Sequence, residues 1–211
     1  MAISGFKSQV MVTGKPVEFL NEGTLTQNFT TYSIVDRKKK IFSYEDNIKV
    51  EESIDGEIWS VIESGLYEVN RLKGEITFSE QKSENTTIRL SGFFLPLSLA
   101  GKSYEYTYSI EIENLSAPEF GSNYQKRLYG QKDTSGEILN WYETNNSLLL
   151  NALRENTTVV LQFYGNENDL DFCMWAILKT AEVSSTIGGL VEEAIEFEGT
   201  TDINGRMFSI E

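Results

Sequence analysis

Carboxylates are the one abundant group with chemistry to offer in this 211-residue chain, which holds 32 Asp and Glu. Two of them can run a glycosidase-type reaction without help from any other residue type. No pair stands out, however, and Glu on an alternating strand normally forms its solvated face. The chain has no His, which removes Ser-His-Asp triads, Cys-His pairs and imidazole metal sites. Its single Cys, Cys173, sits in the apolar run Phe172-Cys173-Met174-Trp175-Ala176 and reads as a buried inert thiol. Gly165-Asn166-Glu167-Asn168-Asp169-Leu170-Asp171 is rich in oxygen ligands but lacks the central Gly and closing Glu of a calcium loop, so it reads as a hairpin turn. Neither G-x-S-x-G, G-x-G-x-x-G nor a phosphate-binding loop occurs. The expectation is a protein with no catalytic, cofactor or metal site.

Charge narrows the partners. Only 18 Lys and Arg oppose the acids, for a formal net charge of -14. A chain so acidic should repel phosphate backbones rather than grip them. The one basic run, Arg37-Lys38-Lys39-Lys40, reads as a solvated turn or as a cluster that pairs with a neighbouring copy's Glu row. No stretch approaches a membrane span, and the N-terminus lacks an apolar signal core. Five Asn-x-Ser/Thr sequons, beginning at Asn28, Asn85, Asn114, Asn145 and Asn156, are then an accident of composition, and a cytoplasmic site of synthesis and assembly is expected.

The elements that must carry these groups are strands. In Tyr104–Glu113, Tyr104, Tyr106, Tyr108, Ile110 and Ile112 alternate with Glu105, Thr107, Ser109, Glu111 and Glu113, which gives one apolar and one acidic face. Val191, Glu193, Ile195 and Phe197 alternate in the same way with Glu192, Ala194, Glu196 and Glu198. A hairpin is expected over Tyr67–Phe78, with Gly74 at its turn, and Thr87–Phe94 extends it. Further strands are expected near Gln9–Val12, Thr30–Val35, Ile48–Glu52, Ile138–Tyr142, Val159–Tyr164, Phe172–Lys179 and Arg206–Ile210. Residues 146–156 read as the one short helix, on a leucine stripe at 149, 150 and 153. Residues 13–27 and 116–137 read as loops, the second long enough to require packing against something else. With 40% hydrophobic and 24% charged residues, a single all-β domain, sandwich or barrel, follows over residues 1–211, with 1–27 as an N-terminal arm and loop.

The ordered segments Gly5–Phe19, Tyr32–Asp36, Tyr67–Asn70, Gly74–Phe78, Ile88–Gly92 and Leu190–Gly199 together resemble the tail tube (major tail) proteins of long-tailed bacteriophages and prophages. The resemblance implies a β-sandwich or barrel subunit with extended loops or arms. It also implies hexameric rings that stack into a tube, with sheets from six subunits joined into a continuous inner barrel. The partners implied are further copies of the chain, a terminator, baseplate and tape measure protein, and viral DNA that passes without specific binding. The location implied is the virion tail, assembled in the host cytoplasm, with no enzyme activity, cofactor or membrane involved.

Under that likeness an acidic wall keeps phosphates centred by repulsion over roughly a Debye length, about 10 Å. Either Glu105, Glu111 and Glu113 or Glu192, Glu196 and Glu198 is expected to face the lumen. Arg37, Lys38, Lys39 and Lys40 are the inter-subunit candidates. Two rival readings are a terminator or baseplate protein of related fold, and a carbohydrate-binding sandwich using Trp59, Trp141 or Trp175.

Overall fold

A computed structural model describes residues 9–26, 28–117, 126–142, 148–166, 169–185 and 189–209. The strands, in chain order, begin with β1 (Gln9–Thr13), β2 (Val17–Thr26), β3 (Thr31–Ile34), β4 (Lys49–Ser53) and β5 (Ser60–Val61). Then come β6 (Tyr67–Asn70), β7 (Glu75–Phe78), β8 (Thr87–Phe94), β9 (Leu97–Leu99), β10 (Lys102–Ala117) and β11 (Lys126–Trp141). One helix, α1 (Leu148–Glu155), precedes β12 (Val159–Asn166), β13 (Asp169–Ser185), β14 (Val191–Gly199) and β15 (Phe208–Ser209). The all-β architecture with one short helix is therefore as the periodicity implied, and every strand pairing is antiparallel.

The chain divides into two compact units. Unit 1 comprises residues 1–99, 159–175 and 201–211. Its larger sheet runs β5-β4-β8-β2-β3-β7-β6. Period-two burial on this sheet fills a core of Phe19, Tyr32, Ile34, Val50, Ile76, Phe78, Ile88 and Leu90, the arrangement expected when one face of an antiparallel sheet is covered. A second ladder sets β12 beside β1 and β1 beside β9. Val160 on that ladder joins Ile41, Leu72, Leu95, Cys173 and Trp175 in a second cluster. Cys173 is buried there, and its sulfur accepts from the Gln162 amide at 3.6 Å. Gly74 has φ +64 at the hairpin turn, and a Cβ there would meet the Lys40 carbonyl oxygen at 2.6 Å.

Unit 2 comprises residues 100–158 and 176–200. Its sheet is β10-β11-β14 followed by the second half of β13. Ile138, Ile195 and Phe197 are its buried apolar residues on the strands β11 and β14, and Leu149 and Ala152 are the buried residues of α1. Phe197 lies against Gly136, where a Cβ would sit 2.5 Å from its ring and 2.1 Å from the Thr107 carbonyl oxygen. That position admits hydrogen alone.

Two expected loops are strands. Residues 17–26 form β2, whose pattern buries Phe19 alone, so no alternation marked it. β2 pairs β8 on both sides of a register shift between Phe19 and Glu22, where Asn21 has φ 54, and pairs β3 from Thr24 onward. Of the expected arm and loop over 1–27, β1 lies between β12 and β9, with Val10 and Val12 buried, while residues 1–8 and 27 lie outside the described residues. Residues 126–137 belong to β11, and 116–117 to β10. Glycine and charge hid residues 126–137, because the buried residue there among the described side chains, Thr134, is polar. Residues 118–125, and Glu167 and Asn168 of the turn read at 165–171, lie outside the described residues.

Candidate functional site: an acidic sheet face between two open edges

The registers of unit 2 decide which carboxylates share a face. Thr107 pairs Glu137, Glu137 pairs Glu196, and Glu196 pairs Thr180. One row on, Ser109, Ser135, Glu198 and Ile177 align, and beyond them Glu111 opposes Asp133. Cross-strand partners project to one side of a sheet. The two Glu rows expected as alternatives are therefore one surface. Glu105, Glu111, Glu192, Glu196 and Glu198 lie on it, together with Asp133, Glu137 and Glu182, which the sequence reading missed. Glu113 follows Glu111 in the same alternation and sits beside Gly130, where β11 carries a bulge.

Few cations balance this face. The Lys179 ammonium donates to Glu198 at 2.7 Å, and that contact raises the Lys179 pKa. Thr180 donates its hydroxyl to Glu196 at 3.0 Å. Arg37 to Lys40 lie elsewhere, in unit 1. There Asp36 caps the turn Arg37–Lys39 by accepting from the Lys38 amide, and Lys39 is tied to Glu22 and Asp36. Arg37 and Lys38 are exposed, and Lys40 is half-buried.

A bulge between Ser103 and Glu105 breaks the tyrosine row. It turns Tyr104 onto the acidic side, where its ring stacks on Trp141 at 4.4 Å. Desolvation, then the charges of Glu192, Glu105 and Glu137, raise the Tyr104 hydroxyl pKa. Of the tryptophans weighed as sugar platforms, Trp175 is fully buried. Trp59 has the Arg89 guanidinium over its ring at 4.1 Å, and Trp141 has Tyr104.

The opposite face carries Tyr106, Tyr108, Ile110 and Ile112 of β10 in register with Ile138, Gly136, Thr134 and Lys132. Glu193 belongs to this face too and is 6% exposed. One of its oxygens accepts from the Asn140 amide at 3.4 Å, while the other has no hydrogen-bond partner.

Edges separate unit 2 from unit 1. Unit 1 ends its larger sheet in β5, two residues long, and β6, along which the C-terminal turn is laid. Asn204 donates to the Val69 carbonyl at 3.0 Å, and Arg206 pairs Glu68. Short, covered edges resist pairing with other chains. In unit 2, β10 is a 16-residue edge strand paired on one side, by β11, among the described residues. On the far side of the sheet, β12 has eight residues against the seventeen of β13 and belongs with Asp169–Trp175 in unit 1. Ile177–Ser185 thus has β14 on one side and no described strand on the other.

Beyond Ser109 and Ser135 the β10–β11 hairpin leaves β14 behind and continues as a two-stranded ribbon of roughly 25 Å. Ile112, Leu115 and Leu128 on it are exposed, and Tyr129 is 85% exposed. Such a ribbon is marginal in water without further packing. Among the described residues no group of three or more Asp, Glu or Cys is placed to hold a metal ion. No protein-family model matches the chain, and no curated protein matches it in sequence.

Proposed function

We propose that the chain is the tail tube subunit of a long-tailed bacteriophage, a structural protein whose rings stack into a conduit for viral DNA. The observation that carries this reading is one stretch of the eight-stranded sheet, β10-β11-β14 and the second half of β13, which is acidic on one face and, among the described residues, has no strand outside β10 or Ile177–Ser185. In an antiparallel sheet with an even number of strands, the two edges run in opposite directions. A copy turned about an axis along the sheet therefore lays its β10 against Ile177–Ser185 of its neighbour and continues the antiparallel alternation. Repeated rotation closes the sheet on itself, which removes every edge.

Barrels of about 16–18 strands already enclose water-filled channels, and six such sheets make a wider one. The sixfold number comes from the likeness to tail tube proteins. With the acidic face inward, the wall repels the phosphate backbone. The ribbon, whose Ile112, Leu115, Leu128 and Tyr129 are exposed, is the arm that reaches the next ring. Terminator, baseplate and tape measure proteins are the further partners, and the virion tail is the location.

Negative-stain microscopy and light scattering of the purified protein at rising concentration test the reading. Rings and long tubes are the expected result. A monodisperse monomer at every concentration overturns it, and capped short oligomers that never elongate favour the terminator or baseplate reading.

A further inference from the structure

A long exposed edge strand has two ways to meet another copy. It can join an unlike edge, as a ring needs, or its own counterpart about a two-fold axis, which stops growth at a dimer. The second route is open to any antiparallel strand that keeps its apolar face on one side. Over the regular stretch Glu105–Ile112, between the two β10 irregularities, any self-pairing register centred on a residue keeps the tyrosine–isoleucine faces together, and the two with the longest overlap are centred on Tyr108 and Ser109. In the first, centred on Tyr108, Glu105 opposes the other copy's Glu111 and Glu111 opposes its Glu105. In the second, centred on Ser109, Glu105 opposes Glu113, Glu113 opposes Glu105, and Glu111 meets Thr107. Each register sets two Glu–Glu pairs directly across the junction, where like charges destabilise. The unlike edge offers Ile177, Lys179, Thr180, Glu182 and Ser184 on the acidic side, one cation and one anion in place of a facing row of acids.

We infer that Glu105 and Glu111 select the mode of association: they disfavour the two longest registers in which β10 pairs with itself about a two-fold axis and so direct copies of this chain to join by unlike edges. This rests on the proposal that β10 is an assembly edge, and it assigns the glutamates a role apart from any effect on passing DNA. Discrimination of this kind comes from a repulsive element against the wrong partner.

Cysteine trapping reads the two-fold contact directly, because the native Cys173 is buried. Tyr108→Cys and Ser109→Cys each place a thiol opposite itself in one of the two self-pairing registers and in no unlike-edge junction. In the otherwise native chain, oxidation should leave both variants uncrosslinked through these positions. Adding E105Q/E111Q should raise the β10–β10 disulfide dimer at least tenfold at one position, with a matching fall in rings and tubes. Native-sequence protein that forms tubes while the E105Q/E111Q chain gives no such dimer overturns the inference and leaves the ring reading standing. Efficient crosslinking with both glutamates in place overturns the inference outright. If the native chain forms neither rings nor crosslinks, the ring reading falls, and dimer formation by the double variant alone still decides what the glutamates do.

Discussion

Unit 1 and unit 2 are built from the same alternating strands, yet the first is finished and the second is not. In unit 1 the apolar side of the larger sheet is buried against its own chain, and its outer strands are short or strapped. In unit 2 the longest strand of the sheet's open side presents apolar residues and carboxylates to solvent alike. Short or strapped edges resist pairing with another chain, and long bare ones are open to it.

Substitutions should separate the two units, and the largest effect belongs to unit 1. Trp175→Ala empties the centre of the second cluster and should cost about 3–5 kcal/mol in denaturant unfolding. A smaller loss would show that this core is looser than its burial implies. Gly136→Ala drives a methyl into the Thr107 carbonyl and the Phe197 ring, and should cost about 3 kcal/mol. Hydrogen exchange should place that loss in β10, β11 and β14 and spare β2, β3 and β8. Equal exchange in both sets would merge the units into one cooperative block.

Glu51 gives the comparison a pH axis. Hydrogen bonds from Arg89, at 3.0 Å, and then Lys49, at 2.8 Å, lower its pKa while burial opposes them. A lowered carboxyl stabilises the fold fully above its ordinary range, near pH 4.3, and that contribution disappears as pH falls through the lower folded value. Glu51→Gln should cost about 1.5 kcal/mol at neutral pH, with the difference from the native chain closing in acid. A difference that stays constant down to low pH would remove the ion pair from the account.

Ile110→Thr sits at the other end of the scale. Its side chain is exposed in the isolated chain, so unfolding should shift by less than about 0.5 kcal/mol while tubes are lost by microscopy. Unchanged tubes would show that this face is not covered on assembly. Raising salt from about 0.05 to about 0.5 M should leave monomer stability nearly unchanged and favour rings, because screening shortens the repulsion between acidic faces. Rings weakened by salt would mean attraction across the junction.

Much of this was legible from the residues alone. Strand identity at Tyr104–Glu113 and Val191–Glu198, the helix near 146–156 and the Gly74 turn all follow from local rules, and the structure has each of them. What failed was local too: β2 and residues 126–137 of β11 carry no apolar period, so both read as loops, whereas the end of β11 was legible as a strand from Ile138. The expectation that one glutamate row or the other would be chosen also failed, since β11 joins the two rows on one surface.

The division has a physical reason. Which side of its own strand a residue points to is set by the backbone within two or three positions, so the sequence by itself determined that there would be acidic faces, apolar faces, and no histidine chemistry. Which strands stand side by side depends on pairings between segments tens of residues apart. Only the tertiary structure could decide that the carboxylate rows coincide, that a bulge carries Tyr104 across to them, and that β10 and Ile177–Ser185 each have a strand on one side alone among the described residues.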